Sequence, residues 1–169
     1  MRSLCHDLQR VLPDAIRINR GKLSFPEIIG KVLDAQADRL IIVERWKGGP
    51  GKIQFYQISS EVTLLPPLLI LASVKMQIDF GRKILLSNNI AVTVTDNPSK
   101  NIQDLAKFLS QFLKIPLSTK KSSKEKFKTA LHITPIPNGE AKIQFNAPPK
   151  GSEVGPRLIV KKAVWKSSR

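Results

Sequence analysis

Residues 40–58 read LIIVERWKGGPGKIQFYQI. The run LIIVE (40–44) is apolar up to its last residue, which is typical of a buried strand, and we expect it to pair in parallel. The segment WKGGPGK (46–52) predicts a loop, because Gly and Pro interrupt regular structure. The following IQFYQI (53–58) alternates in polarity, which predicts a second strand that is half-buried. The whole stretch therefore indicates two strands joined by a basic loop.

The tetrapeptide KIQF occurs twice, at 52–55 and 142–145, and each copy follows a turn rich in Pro or Gly. Periodicity predicts three helices, a series of strands and one extended segment; the helices are 2–12, 24–37 and 101–113, the strands are 15–18, 40–44, 53–58, 90–95, 127–133, 141–145 and 157–165, and the extended segment is 75–80. The same order of elements surrounds both copies. We therefore expect an α/β fold of two structurally similar half-units, about 1–80 and 81–169, with mixed sheets and flanking helices.

Two local signals refine this expectation. Ser24 is followed three residues later by Glu27, which predicts a capping box at the start of the second helix. Within 61–72, Pro66 and Pro67 are adjacent. Because proline cannot donate to a sheet ladder, this pair favours an edge strand or two short strands.

The charge of the chain is strongly basic. The 169 residues include 28 Lys+Arg and 13 Asp+Glu, which gives a formal net charge of +15. Residues 114–169 hold 13 of the basic and 3 of the acidic residues, and the tract STKKSSKEK (118–126) predicts a mobile basic loop. Such a surface requires a polyanion, which can be nucleic acid, an anionic membrane surface or an acidic protein.

The expected cellular compartment follows from the number of cysteines and the length of the apolar runs. Cys5 is the only cysteine, so no intramolecular disulfide can form, and residues 1–12 lack the apolar stretch of a signal peptide. The most apolar run, 64–74, is much shorter than the roughly 20 residues that a membrane span needs. We therefore expect a cytoplasmic protein that does not bind a membrane.

Catalytic patterns are missing from the sequence. His6 and His132 are far apart, and no Cys/His cluster has the spacing of metal ligands. A Walker loop ending at Lys52 would need Gly at 46 and Ser or Thr at 53, where the chain has Trp46 and Ile53. We therefore expect no catalytic residue, no metal, no cofactor and no small-molecule substrate.

The basic residues instead suggest contacts with phosphates. The candidate residues for contact with a nucleic acid are Arg17, Arg20, Lys22, Arg45, Trp46, Lys47, Lys52, Lys120, Lys121, Lys124, Arg157, Lys161 and Lys162. The loops after Ile18 and Glu44 would meet at one edge of a parallel sheet, and Trp46 is the best candidate for stacking on a base. The competing interpretation is that these loops are turns with solvated cations. Removing the charges of Arg20 and Lys22 should weaken binding of a nucleic acid without unfolding the chain.

Four segments together resemble the Brix-domain proteins, in particular the short archaeal ones similar to Imp-four-type ribosome biogenesis factors. The segments are RSLCHDL (2–8), INRGKLS (18–24), DRLIIVERWKGGPGKIQF (38–55) and GPRLIVKKAVW (155–165). The resemblance covers nearly the whole chain, so 1–169 would be a single Brix domain. Members usually carry a further strand and a basic Thr-Ser-Arg-type segment ahead of the Arg-Ser-Leu helix, whereas here Arg2 follows Met1.

The resemblance implies two α/β halves akin to the anticodon-binding domains of some aminoacyl-tRNA synthetases. It also implies a non-catalytic ribosome biogenesis factor that binds precursor ribosomal RNA of the small subunit, assists its processing and assembly, and works with other assembly proteins. The alternative is a protein-interaction module whose basic surface meets an acidic partner and contacts RNA incidentally. A nuclease would need a carboxylate cluster or a histidine pair, and the sequence shows neither.

Overall fold

The computed structural model describes residues 2–46, 48–81, 89–118, 127–137, 139–147 and 152–166, with the backbone alone at 46, 49 and 50. The helices are α1 (Arg2–Val11), α2 (Phe25–Asp34), a 3₁₀ helix (Gln77–Phe80) and α3 (Lys100–Leu113). The strands are β1 (Arg39–Trp46), β2 (Gly49–Ile58), β3 (Val62–Lys75), β4 (Ile90–Val94), β5 (Leu117–Ser118), β6 (Thr129–Thr134), β7 (Ala141–Ala147) and β8 (Ser152–Val164).

The eight strands form one mixed sheet in the order β1-β2-β3-β8-β7-β6-β4-β5. Pairing is antiparallel from β1 to β6, while β4 lies parallel to β6 and β5 lies parallel to β4. The predicted α/β class with a mixed sheet and flanking helices is confirmed. Because β3 pairs with β8, the stretches around the two KIQF copies share this sheet. The division into half-units at about residue 80 stays a prediction.

The two faces of the sheet differ in what covers them. On the face that we call the core face, both KIQF copies bury an isoleucine and a phenylalanine, and helices α1 and α3 pack against them. The buried pairs are Ile53 with Phe55 and Ile143 with Phe145. Strand residues alternate between faces, so Tyr56 and Ile58 lie on the opposite, outer face, where α2 packs against them. Among the described residues, the α-helices therefore leave the outer face of β3, β8 and β7 uncovered, and only the 3₁₀ helix contacts it, through Phe80.

The predicted parallel pairing of residues 40–44 is wrong. β1 is the edge strand of the sheet and pairs antiparallel with β2. The physical reason is the short connection: β1 ends at Trp46 and β2 begins at Gly49. Two residues can join antiparallel neighbours, whereas a parallel pair needs a crossover of about a dozen. Most of the predicted loop 46–52 is consequently strand.

The prediction for the proline pair is also wrong. Residues 62–75 form one strand in the interior of the sheet, between β2 and β8. Phe55 lies opposite Leu65 and Ile53 lies opposite Leu69, so β3 has extra residues at this point. The prolines fall in that irregular stretch, where the ladder is already interrupted and a missing N–H costs little.

Two extended predictions fail near the N-terminal helix. Residues 15–18 are irregular, and Ile18 packs beside α2 instead of joining the sheet. Residues 77–80 form the 3₁₀ helix, because two carboxylates capture its first backbone donors: Asp79 accepts from the N–H of Met76 at 2.9 Å, and Asp7 accepts from the N–H of Gln77 at 2.8 Å.

The capping box of α2 is confirmed. The Glu27 carboxylate accepts hydrogen bonds from the backbone N–H of Ser24 at 2.7 Å and from its hydroxyl at 2.6 Å. These two bonds hold the pKa of Glu27 below its usual value. The predicted loop 118–126 lies outside the described residues apart from Ser118, which ends β5.

Candidate nucleic-acid interface

The strand register brings distant lysines into one row on the outer face. Lys52 of β2 lies opposite Ile70 of β3, and Ile70 lies opposite Lys162 of β8. Their chain neighbours Ile53 and Ala163 are buried in the core, so the row itself points outward. Two strand spacings separate the lysines by about 10 Å.

A second row lies nearer the 3₁₀ helix. Lys75 of β3 is opposite Arg157 of β8, which is opposite Gln144 of β7. Lys75 and Arg157 both contact the ring of Phe80, with Nζ 4.6 Å and Cζ 5.5 Å from its centroid. Between the rows, Lys142 lies opposite Ile159. We call the following six residues of β2, β3, β7 and β8 the basic face: Lys52, Lys75, Lys142, Arg157, Lys161 and Lys162.

Acidic neighbours neutralise part of the basic face. Lys52 forms an ion pair with Glu44 at 2.8 Å. Arg157 donates two hydrogen bonds to Glu153, one of them from Nε at 2.7 Å, and this pairing raises the pKa of Arg157 above its usual value. The positive charges of Lys52 and Arg157 are therefore partly neutralised within the protein.

Lys161 and Lys162 are the exposed cations of the basic face for which the described residues provide neither an acidic nor an aromatic partner. Both are exposed, and neither has an acidic partner within the part of the chain that the structure describes. Lys162 lies opposite Ile70 of β3, and Lys161 lies at the register shift between β3 and β8, which lets both neighbouring lysines be exposed. A polyanion that contacts these two lysines would not first have to break an ion pair among the described residues.

The N-terminal candidates form a separate patch. Arg17, Arg20 and Lys22 are exposed, and Arg20 Nε donates to the carbonyl oxygen of Leu23 at 3.3 Å. Gly21 makes the turn with a φ of +53°, in the left-handed region that favours glycine. We call Arg17, Arg20 and Lys22 the N-terminal patch.

The predicted convergence of this patch with Arg45 is wrong. Ile18 and Leu23, which flank the loop, pack beside Leu40 at the start of β1. Arg45 is exposed near the other end of the same strand. Five residues of extended chain separate Leu40 from Arg45 by roughly 17 Å. The antiparallel hairpin causes this separation, because it places the turn after β1 at the end opposite to α2.

Several predicted residues lie beyond what the structure describes. Lys47, Lys120, Lys121 and Lys124 lie outside the described residues. Trp46 is described by its backbone alone, as the last residue of β1. Their contacts with RNA, including base stacking by Trp46, stay predictions.

The list of candidate binding residues from the sequence omitted Lys75 and Lys142, which belong to the basic face. A signal for Lys142 was present in the repeated KIQF: if Ile143 and Phe145 face the core, then Lys142 faces outward, as Lys52 does in the other copy. Lys75 carried no such signal, because its outward direction depends on the irregular register between β3 and β8.

The described residues contain no group of three His, Cys, Asp or Glu side chains that could hold a metal ion. In the same part of the chain, no helix has the length and apolarity to cross a membrane. His132 Nδ1 lies 2.9 Å from the hydroxyl of Thr93 across β6 and β4, which gives it a structural contact. Burial raises the pKa of the Cys5 thiol, against the opposing charge of Arg17, so the thiol is poorly suited to act as a nucleophile at neutral pH.

Comparison with solved structures shows the same fold in two archaeal proteins. A probable ribosomal biogenesis protein from Aeropyrum pernix K1 superposes with a TM-score of 0.77 and 21% identity, covering 95% of this chain and 88% of that one. Mil, an archaeal Imp4-like protein, superposes with a TM-score of 0.63 and 16% identity, covering 98% of this chain and 91% of that one.

Comparison with curated sequences finds relatives named probable Brix domain-containing ribosomal biogenesis protein. The relative from Methanococcus maripaludis is 30% identical over 161 residues, which cover 95% of this chain and 87% of the relative. The relative from Methanopyrus kandleri is 30% identical over 129 residues, covering 73% and 65%. The relative from Pyrococcus horikoshii is 37% identical over 82 residues, which span only 37% of its length.

No family model matches the chain. The identity to the Methanococcus maripaludis protein nevertheless extends over almost the whole of both chains. The shared sequence and the shared fold agree, and the chain belongs to the family of Brix domain-containing ribosomal biogenesis proteins.

Proposed function

We propose that this chain is a non-catalytic RNA-binding factor that assists the processing and assembly of precursor ribosomal RNA of the small subunit in the cytoplasm. The observation that carries the proposal is the row in which Lys52 and Lys162 face outward about 10 Å apart. The names of the relatives support a role in ribosome biogenesis.

Phosphate contacts in this proposal come from three places. The basic face offers cations on paired strands, the N-terminal patch offers three exposed cations, and Arg45 adds a further exposed cation beside the β1–β2 hairpin. The net charge of +15 supplies long-range attraction that is independent of sequence. Lys47, Lys120, Lys121 and Lys124 would add to that attraction.

The rigidity of the basic face favours RNA binding over a role in solubility alone. Its lysines and arginines stand on strands held by cross-strand hydrogen bonds, so little backbone ordering is needed on binding. Exposed cations that serve only solubility need no fixed spacing. The face therefore suits an extended phosphate backbone.

The experiment is a binding measurement on two double variants. Lys161→Gln with Lys162→Gln removes the accessible cations of the basic face, and Arg20→Gln with Lys22→Gln removes those of the N-terminal patch. Fluorescence anisotropy with a labelled fragment of precursor ribosomal RNA should show roughly tenfold weaker binding for each. The slope of log K against log salt should fall in magnitude by about 1.4, since two phosphate contacts are lost.

The matched control is Lys100→Gln with Lys107→Gln, which removes the same charge from exposed positions of α3 on the core-face side. Its affinity should stay close to that of the unaltered chain, and circular dichroism should show all variants folded. If all three double variants bind alike, the RNA-binding proposal is wrong. Capture of acidic proteins that survives nuclease, combined with unchanged RNA affinity, would favour the alternative protein-interaction module, with other assembly proteins as partners.

A further inference from the structure

A cleft of about 690 Å³ lies between α1 and the 3₁₀ helix. Arg2, His6 and Arg10 lie one helical turn apart along α1, so they share one side of that helix, and Arg17 joins them from the chain that follows. Opposite them the lining residues are Met76, Gln77, Ile78 and Gly81. None of the α1 residues was among the sequence candidates for binding.

The cleft is electropositive. Arg2, Arg10 and Arg17 are exposed and have no acidic partner among the described residues. Asp7 is the acidic residue among those that line the cleft, and its buried carboxylate already accepts the backbone N–H of Gln77. Three guanidinium groups therefore face one opposing charge that is tied to the protein.

Gln77 supplies a second and independent observation. Its side chain is 3% exposed, and its Oε1 accepts a long hydrogen bond of 3.4 Å from Arg10 Nη1. Its buried Nε2 has no hydrogen-bond partner among the described residues. A buried donor without an acceptor is unfavourable, and Gln77 is one of the residues that line the cleft.

We propose that this cleft binds a phosphate group of the RNA, a proposal that rests on the RNA-binding function above. Arginine guanidinium groups and an amide N–H are donors only, and phosphate oxygens are acceptors only. Ile78, which is 85% exposed at the rim, offers apolar contact to a sugar or base.

The position of the cleft favours RNA over an acidic peptide. Phe80, in the same 3₁₀ helix as Gln77, is flanked by Lys75 and Arg157 of the basic face. The cleft therefore continues the basic face around the 3₁₀ helix. An RNA backbone that follows the basic face can place its next phosphates against α1, whereas an acidic peptide has no such reason to enter the cleft.

The test removes charge from the cleft alone. Arg2→Gln with Arg10→Gln is compared with the unaltered chain, with Lys161→Gln/Lys162→Gln and with the control Lys100→Gln/Lys107→Gln. The probe is a labelled single-stranded RNA oligonucleotide, measured by anisotropy over a range of salt concentrations. We expect the cleft variant to bind the oligonucleotide roughly tenfold more weakly. When the cleft and basic-face substitutions are combined, the two fold-losses in affinity should multiply.

A second variant guards against an effect on helix stability. Gln77→Met lies outside α1 and outside the N-terminal patch, removes the buried Nε2 donor, and should weaken binding in the same direction, with an unchanged melting temperature. Competition with adenosine monophosphate distinguishes binding of a terminal phosphate from binding of a phosphate within the RNA backbone. Displacement of the oligonucleotide that depends on Arg10 assigns the cleft to a terminal phosphate, and failure to displace assigns it to the internal backbone.

The outcomes separate this proposal from the one on which it rests. Normal affinity of both cleft variants, with weakened binding of Lys161→Gln/Lys162→Gln, would overturn the cleft and leave RNA binding intact. Normal affinity of every variant would overturn both proposals. Binding of poly-glutamate that depends on Arg2 and Arg10, with RNA affinity unaffected, would assign the cleft to an acidic protein and overturn the phosphate site.

Discussion

Replacing Phe55 by alanine is expected to lower the free energy of unfolding by about 4 kcal/mol. The Phe55 side chain is 3% exposed, and its ring centroid lies 5.0 Å from those of both Phe108 and Phe112 in edge-on arrangements. The substitution therefore removes a large apolar side chain and two aromatic contacts that join the sheet to α3. Differential scanning calorimetry should show a melting temperature lower by roughly 12 °C.

The matched control is Phe25→Ala, which removes the same side chain from a position that is 38% exposed and packs against Tyr56. Its cost should be about 1 kcal/mol. Equal losses for the two substitutions would contradict the assignment of Phe55 to the core face and, with it, the direction in which Lys52 and Lys162 point.

Gly155→Ala is expected to destabilise the chain by about 3 kcal/mol, because strain and a collision add together. Gly155 has a φ of +73°, which L-residues rarely adopt. A Cβ atom placed there would lie 2.6 Å from Cδ2 of Phe80 and 3.2 Å from Cα of Gln77. The Phe80 ring would have to leave its place between Lys75 and Arg157.

Thermal unfolding provides the measurement, with an expected fall of roughly 9 °C in melting temperature. Gly30→Ala is the control, since Gly30 is exposed in the middle of α2 and has open space around it. That substitution should stabilise the chain by about 1 kcal/mol through helix propensity. An unchanged melting temperature for Gly155→Ala would show that Phe80 does not pack against β8 as described.

Local signals in the sequence predicted the helices well. The apolar spacing in 101–113 and the pairing of Ser24 with Glu27 are properties of a few adjacent residues, and both α3 and the capping box are confirmed. The two KIQF segments were predicted as strands, and both bury Ile and Phe at alternate positions. Such patterns survive in the fold because the contacts that cause them are made within one element or against any apolar surface.

Sheet order depended on long-range pairing and could not be predicted in this way. An apolar run such as 40–44 suits a central parallel strand, yet β1 lies at the sheet edge with its apolar residues covered on the core face and by α2. Pro66 and Pro67 are tolerated in an interior strand because the register shifts beside them. Neither fact is encoded within the segment itself.

The candidate interface likewise combines residues that the sequence identifies with an arrangement that depends on long-range strand pairing. Sequence identified Lys52, Arg157, Lys161 and Lys162 as cations, but only the register places them on one face. The sequence also could not show that Glu44 and Glu153 neutralise two of them. Glu44 comes from the neighbouring strand, and Glu153 reaches Arg157 across a stretch of β8 where the register shifts. The cleft beside α1 stayed hidden because Gln77 and Arg10 are 67 residues apart.

The central claim is that the basic face and the N-terminal patch bind precursor ribosomal RNA. Crosslinking in cells tests this claim most directly. Ultraviolet crosslinking, with sequencing of the RNA fragments and mass spectrometry of the attached peptides, locates both sides of the contact. We expect reads concentrated at a few sites in small-subunit precursor RNA, on peptides from β8 and residues 17–22. Reads scattered over all abundant RNAs, or crosslinked peptides confined to α3, would contradict the claim.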